Sequence, residues 1–192
     1  MKLLERMSGQ TRAYLWLALF SSTVLASCGG SLNDTSPSVV NELLVFSAEL
    51  NGTQETPPNA SPGSGIGLAV VNARDLTFSA GVVSTGVADT VAHIHEAPSG
   101  VAGPVIFPLS KEAGRPVWNA QGTLTPAQLA TMRSGGSYFN VHSATVPQGE
   151  IRGQITFRLP TREQLDRLLQ VAQQSQALQS LVQQARQQVQ SQ

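Results

Sequence analysis

All three histidines of this chain fall in two short stretches. The first is Ala92-His93-Ile94-His95-Glu96, running on into Pro98-Ser99-Gly100-Val101-Ala102-Gly103-Pro104. The second is Tyr138-Phe139-Asn140-Val141-His142, followed by Gly149-Glu150-Ile151-Arg152-Gly153-Gln154. Successive side chains of a strand point to opposite faces. His93 and His95 therefore share one face, with Ala92 and Ile94 on the other. In the second stretch Tyr138, Asn140 and His142 share a face opposite Phe139 and Val141. With the apolar residues turned to a core, the three imidazoles project from the outer side of a sheet. A His-x-His pair on a strand directs two nitrogens at one point, and a third histidine from another strand completes a three-nitrogen site. Imidazole suits copper and zinc, and an incomplete ligand shell leaves room for a small ligand. Without a metal, the same histidines would hydrogen-bond loop backbone and fix turns.

The elements that must position these residues are short strands. Leu43 to Leu50, Gly65 to Val71 and Leu76 to Val83 read as the first three, the last two joined by a tight hairpin at Asn72-Ala73-Arg74-Asp75. The His-x-His strand covers Thr90 to His95, and Val105 to Leu109 is another. Lys111 to Gln121 reads as irregular, with Trp118 as an anchor. Thr125-Pro126-Ala127-Gln128 begins a short helix, with Thr125 capping, Pro126 at the first helical position and Gln128 closing a capping box. Ser137 to His142 is the second histidine strand. Glu150 to Leu159 is the last, with Ile151, Ile155, Phe157 and Leu159 inward and Glu150, Arg152, Gln154 and Arg158 outward. Short antiparallel strands with one helical insertion predict an all-β fold, a Greek-key β-sandwich or flattened barrel.

Composition agrees with this class. The 192 residues have zero formal net charge, 17 glycines, 11 prolines and only 5% aromatic residues. That balance favours a turn-rich β domain and leaves no basic patch for a nucleic acid. No Ser-centred nucleophile motif and no His-Glu-x-x-His helix points to a hydrolase.

The two ends differ from the middle. Residues 1–28 read as a secretory address, with Lys2, Arg6 and Arg12 before an apolar run from Ala13 to Leu25 that is too short for a comfortable membrane span. It ends in Leu25-Ala26-Ser27-Cys28, which resembles a bacterial lipobox. The resemblance implies lipidation of Cys28, the chain's single cysteine, and export as a membrane-anchored lipoprotein of the outer membrane, periplasm or cell surface. Residues 29–41 are a flexible linker, and 42–159 the β domain. Residues 160–192 form a Gln-rich amphipathic C-terminal α-helix. Thr161-Arg162-Glu163-Gln164 is its capping box, and Leu168, Val171, Ser175, Leu178, Val182, Ala185 and Val189 follow a coiled-coil spacing that Ser175 interrupts. That seam is a candidate for self-association or for an envelope partner, through residues 161–192.

The central domain resembles the CHRD domain. The matching residues are Glu49-Leu50-Asn51-Gly52, Glu55, Pro57-Pro58, Gly65-Ile66-Gly67, Ala92-His93-Ile94-His95, Gly100, Gly103-Pro104-Val105, Tyr138-Phe139-Asn140-Val141-His142 and Pro147-Gln148-Gly149-Glu150-Ile151-Arg152-Gly153-Gln154. His93-Ile94-His95-Glu96, Gly103-Pro104-Val105-Ile106-Phe107-Pro108-Leu109-Ser110 and Val141-His142 are also similar to stretches of copper-zinc superoxide dismutases. This second resemblance implies a Greek-key barrel with copper on its outer face, held by His93, His95 and His142. It also implies a catalytic role for Arg152, drawing a small anion to the metal. Val105 and Ile106 stand where a bridging histidine would be, and the other zinc ligands are absent, so the implied site is copper-only. Glu96, Glu150 or Asn140 would orient the imidazole N–H groups. The function so implied is an envelope-anchored copper-binding lipoprotein, in superoxide removal or copper handling. The alternative is a non-enzymatic cell-surface scaffolding or adhesion module with structural histidines.

Overall fold

The alternating strands close on themselves. A computed structural model describes residues 43–173 and 175–191. The expected signal segment, Cys28 and the 29–41 linker lie outside the described residues. The strands are β1 (Leu43–Asn51), β2 (Ser64–Asn72), β3 (Thr77–Thr85), β4 (Asp89–Glu96), β5 (Val105–Lys111), β6 (Val117–Thr123), β7 (Ser137–Ser143) and β8 (Ile151–Gln154). Helix α1 (Pro126–Arg133) stands between β6 and β7, and α2 (Arg162–Ala172) and α3 (Gln176–Gln190) follow the last strand. All neighbouring strands are antiparallel, in the closed order β1-β2-β3-β6-β5-β4-β7-β8. The β3-to-β4 and β6-to-β7 connections each pass over two strands, the Greek-key crossing expected from the sequence. This crossing sets β4 directly beside β7.

The barrel interior is filled by one side of each alternation. Phe46, Ala48 and Leu50 from β1 meet Phe78, Ala80 and Val82 from β3, Ala92 and Ile94 from β4, and Phe139 and Val141 from β7. Leu129 and Met132 of α1 complete this core. The capping box of α1 forms as expected, Thr125 Oγ1 accepting from the Gln128 N–H and Gln128 Oε1 from the Thr125 N–H.

Three expectations are corrected. Lys111 to Gln121, read as irregular, belongs to β6 from Val117 on. Trp118 and Ala120 point into the core, Gly122 packs under Phe78, and Val117 points to the other face. The last strand ends at Gln154 rather than Leu159. Beyond Ile155 the chain bends, tied by Thr156 to the main chain of Ser47, and Phe157 lies half exposed at a barrel end against Phe46 and the Arg133 guanidinium. The tail is two helices rather than one. Ser175 is the break in the coiled-coil spacing because it caps α3, its Oγ accepting from the Leu178 N–H at 3.1 Å. The same hydroxyl donates to the Glu112 carboxylate beyond β5, which Asn119 and Arg115 also hold.

The apolar seam of the tail lies against this barrel. Leu168, Leu178, Val182 and Ala185 are fully buried on the outward residues Val45 (β1), Leu68 and Val70 (β2), and Val117 (β6). Packing on the barrel stabilises two helices whose many glutamines supply no ion-pair lattice of their own. Leu178→Ala is expected to destabilise the barrel and helices together by about 2–5 kcal/mol. A single cooperative denaturation transition, moved by that amount, checks this. A barrel that melts unchanged while α2 and α3 fray would contradict it.

Candidate metal centre

Helices cover the outer face of β1–β3, and loops cover the outer face of β4, β7 and β8. The histidines stand on that second surface. Ala92 and Ile94 are completely buried inside the barrel, so His93 and His95 project outward from β4. The register sets His95 opposite Tyr138, His93 opposite Asn140 and Val91 opposite His142. His142 is thus the diagonal neighbour of His93 on one face, within reach of an imidazole. The ring centroids are 5.1 Å apart for His93 and His142, 5.5 Å for His93 and His95, and 6.3 Å for His95 and His142. One nitrogen from each ring lies within 4.8 Å of the others, a group that can hold a metal ion. The two histidine stretches meet.

Main-chain carbonyls decide which nitrogens face inward. His95 Nδ1 lies 2.9 Å from the Gly103 carbonyl oxygen, and His142 Nδ1 lies 3.0 Å from that of Pro147. A carbonyl only accepts, so both Nδ1 atoms carry the hydrogen and both Nε2 atoms present a lone pair. His95 Nε2 is buried without a partner. His142 Nε2 lies 3.2 Å from His93 Nδ1. With no metal, His93 Nδ1–H donates across that gap. A metal held here would require the His93 hydrogen on Nε2, so that His93 Nδ1, His95 Nε2 and His142 Nε2 would all offer lone pairs.

The surroundings keep the rings neutral. Burial lowers the pKa of His93, and the His142 and His95 imidazoles lower it further. For His95, burial outweighs the opposing bond to Gly103, and the charges of His142 and Arg152 add to its effect. For His142, burial outweighs the bond to Pro147. Lone pairs are therefore available at neutral pH. His93 is the least covered of the three, so the cluster opens on its side.

The loop between β4 and β5 is the tool that holds His95. Gly103 can only be glycine, since a Cβ there would lie 2.0 Å from the Glu96 carbonyl oxygen. Its N–H donates to the Tyr138 hydroxyl at 3.1 Å while its carbonyl accepts from His95. The Tyr138 ring stacks on His95, with centroids 4.8 Å apart and planes 12° apart. On the other side of that ring the Arg152 guanidinium lies 3.5 Å from the centroid. Arg152 is on the outward face, as parity predicts, yet is only 2% exposed. Its Nη1 donates to the Val101 carbonyl and Thr56 Oγ1, and its Nη2 to the Pro98 carbonyl and Gln154 Oε1, all within 3.2 Å. Arg152 therefore stands in the wall of the site, behind Tyr138.

The acceptors that orient His95 and His142 are main-chain carbonyls, where Glu96, Glu150 or Asn140 was expected. Glu150 Oε1 accepts instead from Ser61 Oγ, fastening the β1–β2 loop to the turn before β8. Asn59 Nδ2 reinforces that contact through the carbonyls of Gly149 and Glu150. Sequence reasoning missed Tyr138 as a support, although its position on the histidine face was readable. It also passed over Glu55, whose carboxyl is buried beneath the β1–β2 loop.

No curated protein and no solved structure matches the chain. The model of one family does, the CHRD domain, over residues 46–155. That span is more than half of the 192 residues and runs from within β1 through β8, with all three histidines and Arg152. This chain belongs to the CHRD domain family.

Proposed function

We propose that the domain binds one copper ion through His93 Nδ1, His95 Nε2 and His142 Nε2, on a chain exported and anchored at Cys28. One observation carries the reading. A buried imidazole nitrogen, His95 Nε2, is unpartnered and belongs to a cluster with two other imidazole nitrogens. A buried polar atom left unpaired costs about 1–3 kcal/mol, and a metal removes that cost. Three neutral imidazoles favour copper or zinc over hard cations. The absence of a carboxylate from the set leaves it uncharged, which suits either oxidation state of copper. When bound, copper supplies one-electron redox chemistry. The chain's own residues hold the ligand nitrogens, exclude water on the Tyr138 side and leave the His93 side open to a small ligand. Copper handling needs only this much, and superoxide removal would use the same opening. Arg152, with Nη1 and Nη2 bonded to the loops, acts as a positioning residue that adds positive charge beside the site.

The test is Cu(II) titration of the full chain with electron paramagnetic resonance, alongside His95→Ala and His142→Ala. A single tight site with nitrogen hyperfine coupling is expected, its affinity lowered at least about 100-fold in each variant. Weak binding that ignores both substitutions would overturn the reading. The histidines would then be structural, tying the 97–104 and 144–150 loops to the barrel, and the domain a scaffolding or adhesion module. A superoxide assay on the loaded protein then separates turnover from storage.

A further inference from the structure

The zero net charge of the chain conceals an uneven surface. Lys111, Arg115 and Arg167 are held in ion pairs, and Arg152 is buried. Arg133, Arg158, Arg162 and Arg186 are exposed, and none has an acidic partner among the described residues. These four gather at one end of the barrel. Arg133 ends α1, and its guanidinium lies 5.4 Å from the centre of the Phe157 ring. Arg158 follows Phe157 and shares a groove with Leu43, Leu159 and Gln188. Arg162 at the start of α2 and Arg186 of α3 line a second groove with Val189, the residue after Gln188. Gln188 Nε2 donates to the Leu43 carbonyl at 2.7 Å, which sets the last turns of α3 beside the start of β1.

Three features mark this end as a contact surface. Phe157 is half exposed among the arginines, the one exposed aromatic side chain of the described residues. An aromatic ring flanked by arginine stems suits a membrane interface, where the ring enters the headgroup layer and the guanidinium groups meet phosphates. The nearby acidic groups do not cancel the charge. Glu163 is taken by Arg167, Glu49 beside Arg158 accepts from Gln164 Nε2, and Asp166 stands alone between Arg162 and Arg186. The chain also enters the barrel here. Only residues 29–42 separate Leu43 from Cys28, at most about 50 Å of chain.

We propose that this end of the domain, Phe157 with Arg133, Arg158, Arg162 and Arg186, docks on an anionic phospholipid surface. Each arginine brought to such a surface raises the docked population on the order of fivefold. The charges are exposed, so salt screens the attraction. An acidic protein would also satisfy the arginines, but the tether brings lipid to this end. That step rests on the proposed anchor at Cys28, whereas the charged end itself does not. None of the docking residues lies on β4 or β7, so the opening at His93 stays free.

The experiment measures hydrogen–deuterium exchange of the full chain on two kinds of vesicle, phosphatidylcholine alone and phosphatidylcholine mixed equally with phosphatidylglycerol. Mass spectrometry of the same samples reads acylation of Cys28. Amides of residues 156–162 and 186–190 are expected to exchange several-fold more slowly on the anionic vesicles than on the neutral ones. Sodium chloride at about 0.5 M should remove the difference. Arg158→Gln, Arg162→Gln and Arg186→Gln combined should lower the docked population about 100-fold and restore the faster exchange. These side chains hold no hydrogen bond among the described residues, so the variant should keep its Tm; if it unfolds, the salt dependence of the wild type still decides. Equal exchange on both vesicles overturns the proposal and leaves the arginines to an acidic protein. Slowing that is the same on both is apolar insertion alone, and slowing confined to another face is a different surface; either result also overturns it. Acylated Cys28 without the difference keeps the anchor and sinks the docking surface. The difference with an unacylated Cys28 does the reverse.

Discussion

Arg152→Ala is expected to destabilise the domain by about 3 kcal/mol, toward the lower end of the cost of removing a buried charged partner. The side chain is among the largest fully buried ones, and its guanidinium ties together parts of the chain that share no strand. Thr56 lies in the β1–β2 loop, Pro98 and Val101 in the β4–β5 loop, and Gln154 at the end of β8. Truncation leaves the Val101 carbonyl and the Thr56 hydroxyl without this donor and uncovers one face of Tyr138. Glu55 also loses the positive charge that lowers its pKa, and can respond by taking up a proton, which holds the loss below the full cost of an orphaned ion. Metal affinity should fall too, by about 10- to 100-fold, because the β4–β5 loop carries the carbonyl that orients His95. Arg152→Lys keeps the charge but cannot span four acceptors with one ammonium, so it should recover little of either loss. Denaturant unfolding and Cu(II) titration of the three proteins check this. A cost under about 0.5 kcal/mol, as at an ordinary surface site, would show that the guanidinium is not the clamp described here.

The contrast between the legible and the hidden parts of this site has a physical basis. Strand parity is local, so it separated His93 and His95 from Ala92 and Ile94, and His142 from Val141, without knowledge of the fold. It also placed Arg152 on the histidine face. Whether the two stretches meet depends on which strands are neighbours. That is settled by crossings which leave no mark in either stretch. The hydrogen bonds that set the imidazole tautomers go to the carbonyls of Gly103 and Pro147. Every residue has such a group, so only the turn residues around them signalled anything. Parity placed Arg152 outward but could not show its burial, because parity knows nothing of loops folding back over a sheet.

The outer helices show the same limit from the other side. Leu43-Leu44-Val45-Phe46 and Leu68-Ala69-Val70-Val71 are continuous apolar runs rather than strict alternations. Such runs mark strands buried on both faces. They imply a cover, and the apolar stripe of residues 161–192 is that cover. Two signals at opposite ends of the domain, each incomplete alone, describe one interface. β6 was missed for another reason. Gly114, Arg115 and Pro116 read as a loop, and with only Ala120 and Gly122 to follow Trp118 the inward side of the alternation with Asn119 and Gln121 is too weakly apolar to stand out.

Metal loading is expected to stabilise the protein as much as its largest single side-chain contacts do. A ligand at 1,000 times its dissociation constant that binds only the folded state adds about 4 kcal/mol. For a domain of this size that is a rise in Tm of roughly 10 °C. A chelator should reverse it, and His142→Ala should abolish it. The increment should also fade in acid. The folded-state pKa values of His93, His95 and His142 are all lowered from 6.5. The neutral rings thus favour the folded state above pH 6.5, and this advantage is lost as pH falls through the lowered values, where protons also compete with metal for the nitrogens. A structural role for the histidines predicts something different. His142→Ala would then lower the stability of the metal-free protein, because the Pro147 carbonyl loses its donor, but metal would add nothing to either protein. Stability of the variant alone therefore cannot separate the two readings. The quantity that does is the interaction between substitution and metal: close to the full increment if the three imidazoles are ligands, and zero if they only tie down the loops.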